Sequence, residues 1–235
     1  MPVSNTTPLV LIPGFMLDES LWDEFIELLP AGREIHRANL RVGQSISQIA
    51  EHIAQGAPKQ FVLVGFSLGG YIARSLVEQF PDRVAALILI ASSLRSDTPE
   101  QKKLKEAAVK ASSQSRFKGL STLAITKSLH PDSAGDKVLI NRIRNMGIQL
   151  GYEEFSKQSM LGRDSLAQHP IQCPTLVIAA AQDQLRSLEE SYELSNAIPE
   201  SQIEIIEGTG HMIPLEQPEV MTKVIVDWLG MIRLN

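Results

Sequence analysis

One serine sits among glycines in the stretch Val64-Gly65-Phe66-Ser67-Leu68-Gly69-Gly70, where the apolar run FVLVGF gives way to the helix-like LGGYIARSLVEQF. A strand that bends sharply into a helix strains the corner residue and crowds the residues two positions either side, so Gly65 and Gly69 suit such a corner. The hydroxyl of Ser67 then projects from the carboxyl edge of a sheet. The amide of Leu68, opening the helix, points toward negative charge forming beside it. That geometry suits a nucleophile, the competing reading being an ordinary glycine-rich strand-to-helix turn. A serine hydroxyl is a weak nucleophile at neutral pH, so a base must take its proton and a carboxylate should orient that base. Downstream, TLVIAAAQDQL carries Asp183 just past an apolar run, and IEIIEGTGHMIPLEQPE carries His211 just past the next. The chain order is therefore Ser, Asp, His.

Competing readings exist for each residue type. Asp97, past the preceding apolar run, is an alternative orienting acid, and Asp183 could simply cap a helix. The lone Cys173 precedes Pro174 at a strand entrance and reads as a buried small residue. His36, His52, His130 and His169 are scattered without the i, i+4 pairing or carboxylate company of a metal site. No metal is expected. Lys102, Lys103 and Lys105 read as a solvated helix face, Met146 and Met160 as core filling, and Met212 as a pocket contact beside His211.

The elements that must position these groups alternate along the chain. Apolar runs at 8–13, 60–66, 84–92, 175–182 and 202–208, with a weaker one at 34–40, read as strands. Between them, helical periodicity marks 17–29, 45–55, the segment after Ser67 as far as Pro81, 187–197 and 217–230. Strands buried on both faces and separated by helices predict a parallel sheet covered on both sides, an α/β fold. The alternation lapses between Ser93 and His169, where only helix-like stretches occur. The clearest opens at Thr98 with Pro99 next and Gln101 at the capping-box position. The expected organisation is a core of residues 1–92 and 171–235 interrupted by a helical cap at 93–170.

Composition excludes several functions. With 235 residues and 43% apolar content, the chain can bury a full core. Its net charge of −5, with no basic stripe, argues against a nucleic-acid partner. No apolar run approaches a membrane span, and the start lacks a basic-then-apolar leader pattern, so neither a membrane partner nor export is expected. A single cysteine permits a reducing compartment, and a cytoplasmic location is expected.

The stretches LVLIPGF, VLVGFSLGGYIA, CPTLVIAAAQD and GTGHMIPLEQPE resemble the α/β-hydrolase fold enzymes, in their esterase and enol-lactonase-like branch. The resemblance runs from Pro8 to Ser92 and from Ile171 to the end. It implies Ser67 as nucleophile, His211 as general base and later acid, Asp183 as orienting carboxylate, and backbone amides of Phe15 and Leu68 as oxyanion donors. It implies no cofactor. Phe15, Met16 and Met212 are expected to line the substrate space, and cap residues within 120–129 and 146–161 to select the substrate. Pro13-Gly14 stands where the family usually has His-Gly, and Ala180 where it usually has glycine. Members of that family often carry two additional strands at the amino end, whereas this chain starts almost directly on PLVLIP, so a main sheet of six strands is expected. The expected function is hydrolysis of a small, largely apolar ester, thioester or lactone. Carbon–carbon bond hydrolysis, elimination or perhydrolysis on the same residues, or ligand binding without turnover, are the alternatives.

Overall fold

The computed structural model describes residues 7–163 and 171–232. His169 and the last residues of the expected cap lie outside them. Six strands form one sheet: β1 (Leu9–Ile12), β2 (Ile35–Arg37), β3 (Phe61–Phe66), β4 (Val84–Ile90), β5 (Thr175–Ala180) and β6 (Gln202–Ile206). Their order across the sheet is β2-β1-β3-β4-β5-β6, and every neighbouring pair is parallel. The chain therefore moves from β1 to one side for β2 and returns to the other side for β3. At such a reversal the loops after β1 and β3 part, leaving a crevice beyond the carboxyl ends of the strands.

Strand alternation divides the core into two layers. Leu9, Leu11, Val62, Val64, Phe66, Ile88 and Ile178 face one side and meet Trp22 and Phe25 at helix α1 (Asp23–Leu28), with Met221, Ile225 and Trp228 of α9 (Pro218–Met231). Val10, Ile12, Leu63, Leu87, Leu89 and Val177 face the other side. There they meet Ile49 and Ile53 of α2 (Ile46–Gly56), Ile72 and Leu76 of α3 (Leu68–Gln79), and Leu194 of α7 (Leu188–Asn196). Helix α2 starts where Ser45 accepts from the Gln48 amide, and the expected stop before Pro81 holds. The helix expected over 17–29 is shorter and divided: Asp18 caps a 3-10 turn, Glu19–Trp22, and α1 follows.

Between β4 and β5 the described residues hold no strand. They form α4 (Pro99–Ala111), α5 (Thr122–Thr126) and α6 (Lys137–Ser159). The capping box of Thr98 and Gln101 opens α4 as the sequence predicts. Helix α6 is interrupted at Gly151 (φ 83°), a left-handed backbone that suits glycine. Ile125, Leu129, Ile143 and Met146 join the first core layer, whereas Leu150 and Phe155, on either side of the interruption, pack with Met16 in a small separate cluster. Met160, expected in the core, is 54% exposed, because the break resets the helical phase ahead of it. The short α8 (Ile213–Glu216) leads into α9.

Candidate active site

Ser67 stands at the β3–α3 corner with φ 51° and ψ −111°, a conformation that L side chains rarely adopt. Its neighbours hold it there. Its N–H donates to the Ile90 carbonyl at 2.8 Å, and its own carbonyl accepts from the Ser92 hydroxyl and the Gly70 amide, both at 3.0 Å. Three glycines make the corner possible. A Cβ on Gly65 would meet the Gly69 carbonyl across the bend, as expected. On Gly69 it would strike the carbonyls of Ile12 and Pro13 in the first loop, not the opposite side of the bend, and on Gly70 the Ser92 side chain. The glycine requirement thus comes as much from β1 and β4 pressing on the corner as from the turn itself.

The three residues singled out by type and spacing come together. His211 Nε2 lies 2.9 Å from Ser67 Oγ, and His211 Nδ1 lies 2.7 Å from Asp183 Oδ2. The Asp183 and His211 side chains are 1% and 6% exposed, so the row is shielded from water up to the serine, which is half-buried. Asp183 Oδ1 accepts from the amides of Leu185 (2.7 Å) and Arg186 (2.9 Å), leaving Oδ2 for the imidazole. The Phe66 ring lies 5.2 Å, centroid to centroid, from the imidazole. Asp97, the alternative acid, is engaged elsewhere: it pairs with Lys105 and with Arg163 Nη1 at 3.2 Å. Lys105 therefore departs from its expected place on a solvated face.

The loops carrying these groups are tied to one another. Gln182, beside Asp183, accepts from the Gly208 amide at 2.9 Å and donates to Glu207 at 2.8 Å, joining the loops after β5 and β6. Glu216 accepts from the Gly210 amide (2.9 Å) with one oxygen and from the His130 amide (2.7 Å) with the other. The Met212 amide donates to the Ser128 carbonyl at 3.2 Å. A Cβ on Gly210 would collide with the Leu129–His130 backbone, so the histidine loop lies directly against the segment after α5. Met212, expected as a pocket contact, is buried in the first core layer beside this segment.

Phe15 and Met16 lie in the loop after β1. The Leu68 and Phe15 amides donate to no protein acceptor among the described residues. The half-buried Phe15 ring lies 6.1 Å from Phe155, which lies 5.0 Å from Phe117; Tyr152 stands 6.3 Å beyond Phe117. With the buried Met16 and Leu150 they form an apolar cluster where the insertion meets the first loop. Phe117 falls outside the cap segments expected to matter, and an isolated aromatic in a polar stretch offers no periodic signal. Gln158, buried among them, accepts from the Met16 amide at 2.9 Å. Nothing in its residue type foretold this. Cys173 is half-buried, and burial pushes its thiol up to about 11, against a reactive role. Among the described residues no three His, Cys, Asp or Glu side chains converge as metal ligands, and no helix is long and apolar enough to cross a membrane.

Comparison with known proteins gives a consistent picture. Residues 37–218 match the family model described as serine aminopeptidase, S33. The sequence is 24% identical over 259 residues to monoacylglycerol lipase ABHD6 of Mus musculus, covering 96% of this chain and 76% of that protein. It is 26% identical over 243 residues to pimeloyl-(acyl-carrier protein) methyl ester esterase of Yersinia enterocolitica, covering 94% and 92%. A solved thermophilic esterase of Thermogutta terrifontis superposes with a TM-score of 0.82 at 26% identity, covering 95% of this chain and 89% of the other.

Proposed function

The chain belongs to the serine aminopeptidase, S33 family and is an esterase-like hydrolase of the α/β-hydrolase fold, and from this we propose that it cleaves a small, largely apolar carboxylic ester, thioester or lactone through an acyl-enzyme. Ser67 Oγ attacks the carbonyl carbon while His211 Nε2 takes the hydroxyl proton, and the carbonyl electron pair moves onto oxygen. The Phe15 and Leu68 amides receive that oxyanion. Collapse of the intermediate expels the alcohol, thiol or lactone oxygen, which takes the proton from the imidazolium. Water then repeats the sequence: it bonds to the acyl carbon as His211 takes its proton, the acyl–Ser67 bond breaks with Ser67 Oγ regaining that proton from the imidazolium, and the acid leaves. Asp183 keeps Nδ1 protonated, so that Nε2 is free to accept.

The observation that carries this reading is the hydrogen-bonded row of Ser67, His211 and Asp183, at 2.9 and 2.7 Å, drawn from the ends of three different strands. The strained backbone at Ser67 adds to it, since such strain collects at functional positions. The ring cluster of Phe15, Phe117 and Phe155 favours an apolar acyl or alkyl group. The named esterase and lipase relatives support an ester as the scissile bond.

The test is labelling followed by a substrate panel. A fluorophosphonate probe should modify Ser67, identified by peptide mapping; Ser67→Ala should abolish the adduct and His211→Ala should weaken it. Short acyl esters, thioesters and lactones should then turn over. An intact, folded protein that takes no label contradicts the proposal. Turnover of amino-acyl anilides in preference to every ester would redirect the specificity to peptides.

A further inference from the structure

Resting on the reading of Ser67 as nucleophile and Phe15 N–H as an oxyanion donor, we infer that Gln158 of the insertion is a positioning residue, holding the Phe15–Met16 turn in its oxyanion-binding form. The turn is formed by Gly14 to Leu17: the Leu17 amide donates to the Gly14 carbonyl at 3.3 Å. Phe15 occupies its second position, and Met16 its third with φ 55°. A left-handed residue at the third position alone is the signature of a type II turn, which ordinarily takes glycine or asparagine there. Methionine disfavours it. The same four residues would adopt a type I turn more readily, with the Phe15–Met16 peptide turned over and φ of Met16 negative. The local sequence therefore opposes the observed conformation, and something outside the turn must hold it.

Gln158 is the group placed to do so. Its Oε1 accepts from the Met16 N–H at 2.9 Å across 142 residues of sequence, in a contact buried from water. In a type I turn that N–H would face away and leave the amide oxygen without its donor. The Gln158 side chain is itself fixed: its Nε2 donates to Glu154 Oε2 at 3.2 Å, one helical turn earlier. Glu154 is paired with Lys157 at 2.6 Å, and Lys157 donates to the carbonyls of Leu40 (2.9 Å) and Arg41 (2.7 Å). The last turns of α6 are thereby fastened to the core beside the first loop. Phe155, on the same stretch, packs against the Phe15 ring. The peptide that turns over follows Phe15, whose own N–H sits on the preceding peptide, so loss of the Gln158 bond reaches the oxyanion amide by reseating the loop between Phe155 and the core. A displaced donor acts on the transition state more than on the bound substrate.

The experiment compares three forms of the full chain on a turned-over aryl ester, with active sites counted by fluorophosphonate titration. Gln158→Met keeps length and loses the acceptor. The exchange Glu154→Gln with Gln158→Glu keeps an acceptor for the Met16 N–H and reverses only the side-chain bond, the position-154 amide now donating to the position-158 carboxylate. The expected result for Gln158→Met is a kcat per titrated site 10- to 100-fold lower, part of the roughly 100- to 1,000-fold that a whole oxyanion donor contributes. KM should stay within about threefold, and affinity for a trifluoromethyl ketone should fall in step with kcat/KM. The exchange should recover most of the loss. The inference is overturned if Gln158→Met keeps its per-site kcat within about threefold of the parent. It is equally overturned if only the number of titratable sites falls, the mark of a merely structural role, or if the exchanged pair folds but recovers nothing. Should the parent chain itself take no label at Ser67, it is the underlying assignment of the nucleophile that fails.

Discussion

Replacing Asp183 by asparagine tests the orientation of the imidazole with little change of shape. In the parent, Asp183 Oδ1 accepts from two backbone amides and Oδ2 faces His211 Nδ1. Asparagine has one acceptor oxygen and one donor group, and must choose which faces which. Turning its NH2 toward the Leu185 and Arg186 amides would leave those donors unmet, at about 1–3 kcal/mol each when buried. The Leu185 bond is exposed, so water softens that half, and roughly 2–4 kcal/mol opposes the turned form. The favoured form keeps the oxygen on the amides and presents NH2 to Nδ1. The imidazole must then carry its proton on Nε2, where it meets the Ser67 hydroxyl as a donor and cannot accept. A loss of about 1,000- to 10,000-fold in kcat is expected, in keeping with what this substitution costs in an enzyme known to use a Ser-His-Asp row. That corresponds to about 4–5.5 kcal/mol of barrier. KM should move by no more than about threefold. Stopped-time aryl ester hydrolysis, normalised to folded protein by its thermal transition, measures it. Asp97→Asn, which breaks only the contacts to Lys105 and Arg163, should leave kcat within about threefold. Asp183→Asn retaining a tenth or more of parental kcat would refute the reasoning, as would a large loss from Asp97→Asn.

The glycines of the serine corner should rank by what a methyl would meet. Gly69→Ala confronts two backbone carbonyls that cannot move aside, so it should cost at least the upper end of the roughly 1–3 kcal/mol typical of overpacking, whereas Gly70→Ala meets the Ser92 side chain and should cost less. Denaturant titration of both variants gives the order. The Cys173 thiol, held up to about 11 by burial, should react with iodoacetamide at pH 8 about a hundredfold more slowly in the folded chain than after unfolding in urea. Because the unfolded thiol ionises first, near its ordinary value, this group should lower stability as pH rises from about 8.5 toward 11, and a Cys173→Ala chain should lack that component.

The sequence made Ser67, Asp183 and His211 legible because each depends on a short local pattern at the end of a strand, and parallel strands bring such ends together whatever lies between them. Sheet, strand number and most helix bounds were readable for related reasons: burial on both faces leaves continuous apolar runs, and Ser45 and Thr98 each cap the helix that begins beside them. The insertion was readable only as helical. Gln158 bonds a backbone amide far away in sequence, a pairing that no periodicity encodes. Met160 was misplaced because the phase of α6 breaks at Gly151, and a glycine within a helical pattern does not announce a positive φ. Phe117 acquires its meaning only from the rings that surround it.

The way the insertion is held decides its effect on the site. Gln158 grips the loop after β1, while the backbone after α5 meets Glu216, Gly210 and Met212 of the histidine loop. The two sides of the crevice, one proposed to bind the oxyanion and the other to carry the base, are thus both braced by the same segment. Lifting that segment away would also expose Ile125, Leu129, Ile143 and Met146, which belong to the first core layer. At about 1.5–3 kcal/mol for each such side chain, their exposure alone costs on the order of 6–12 kcal/mol. A form that far above the ground state is populated at less than about one part in 10,000. Wholesale removal of the insertion is therefore rare, so a substrate of the proposed reaction would meet the site with both braced loops in place.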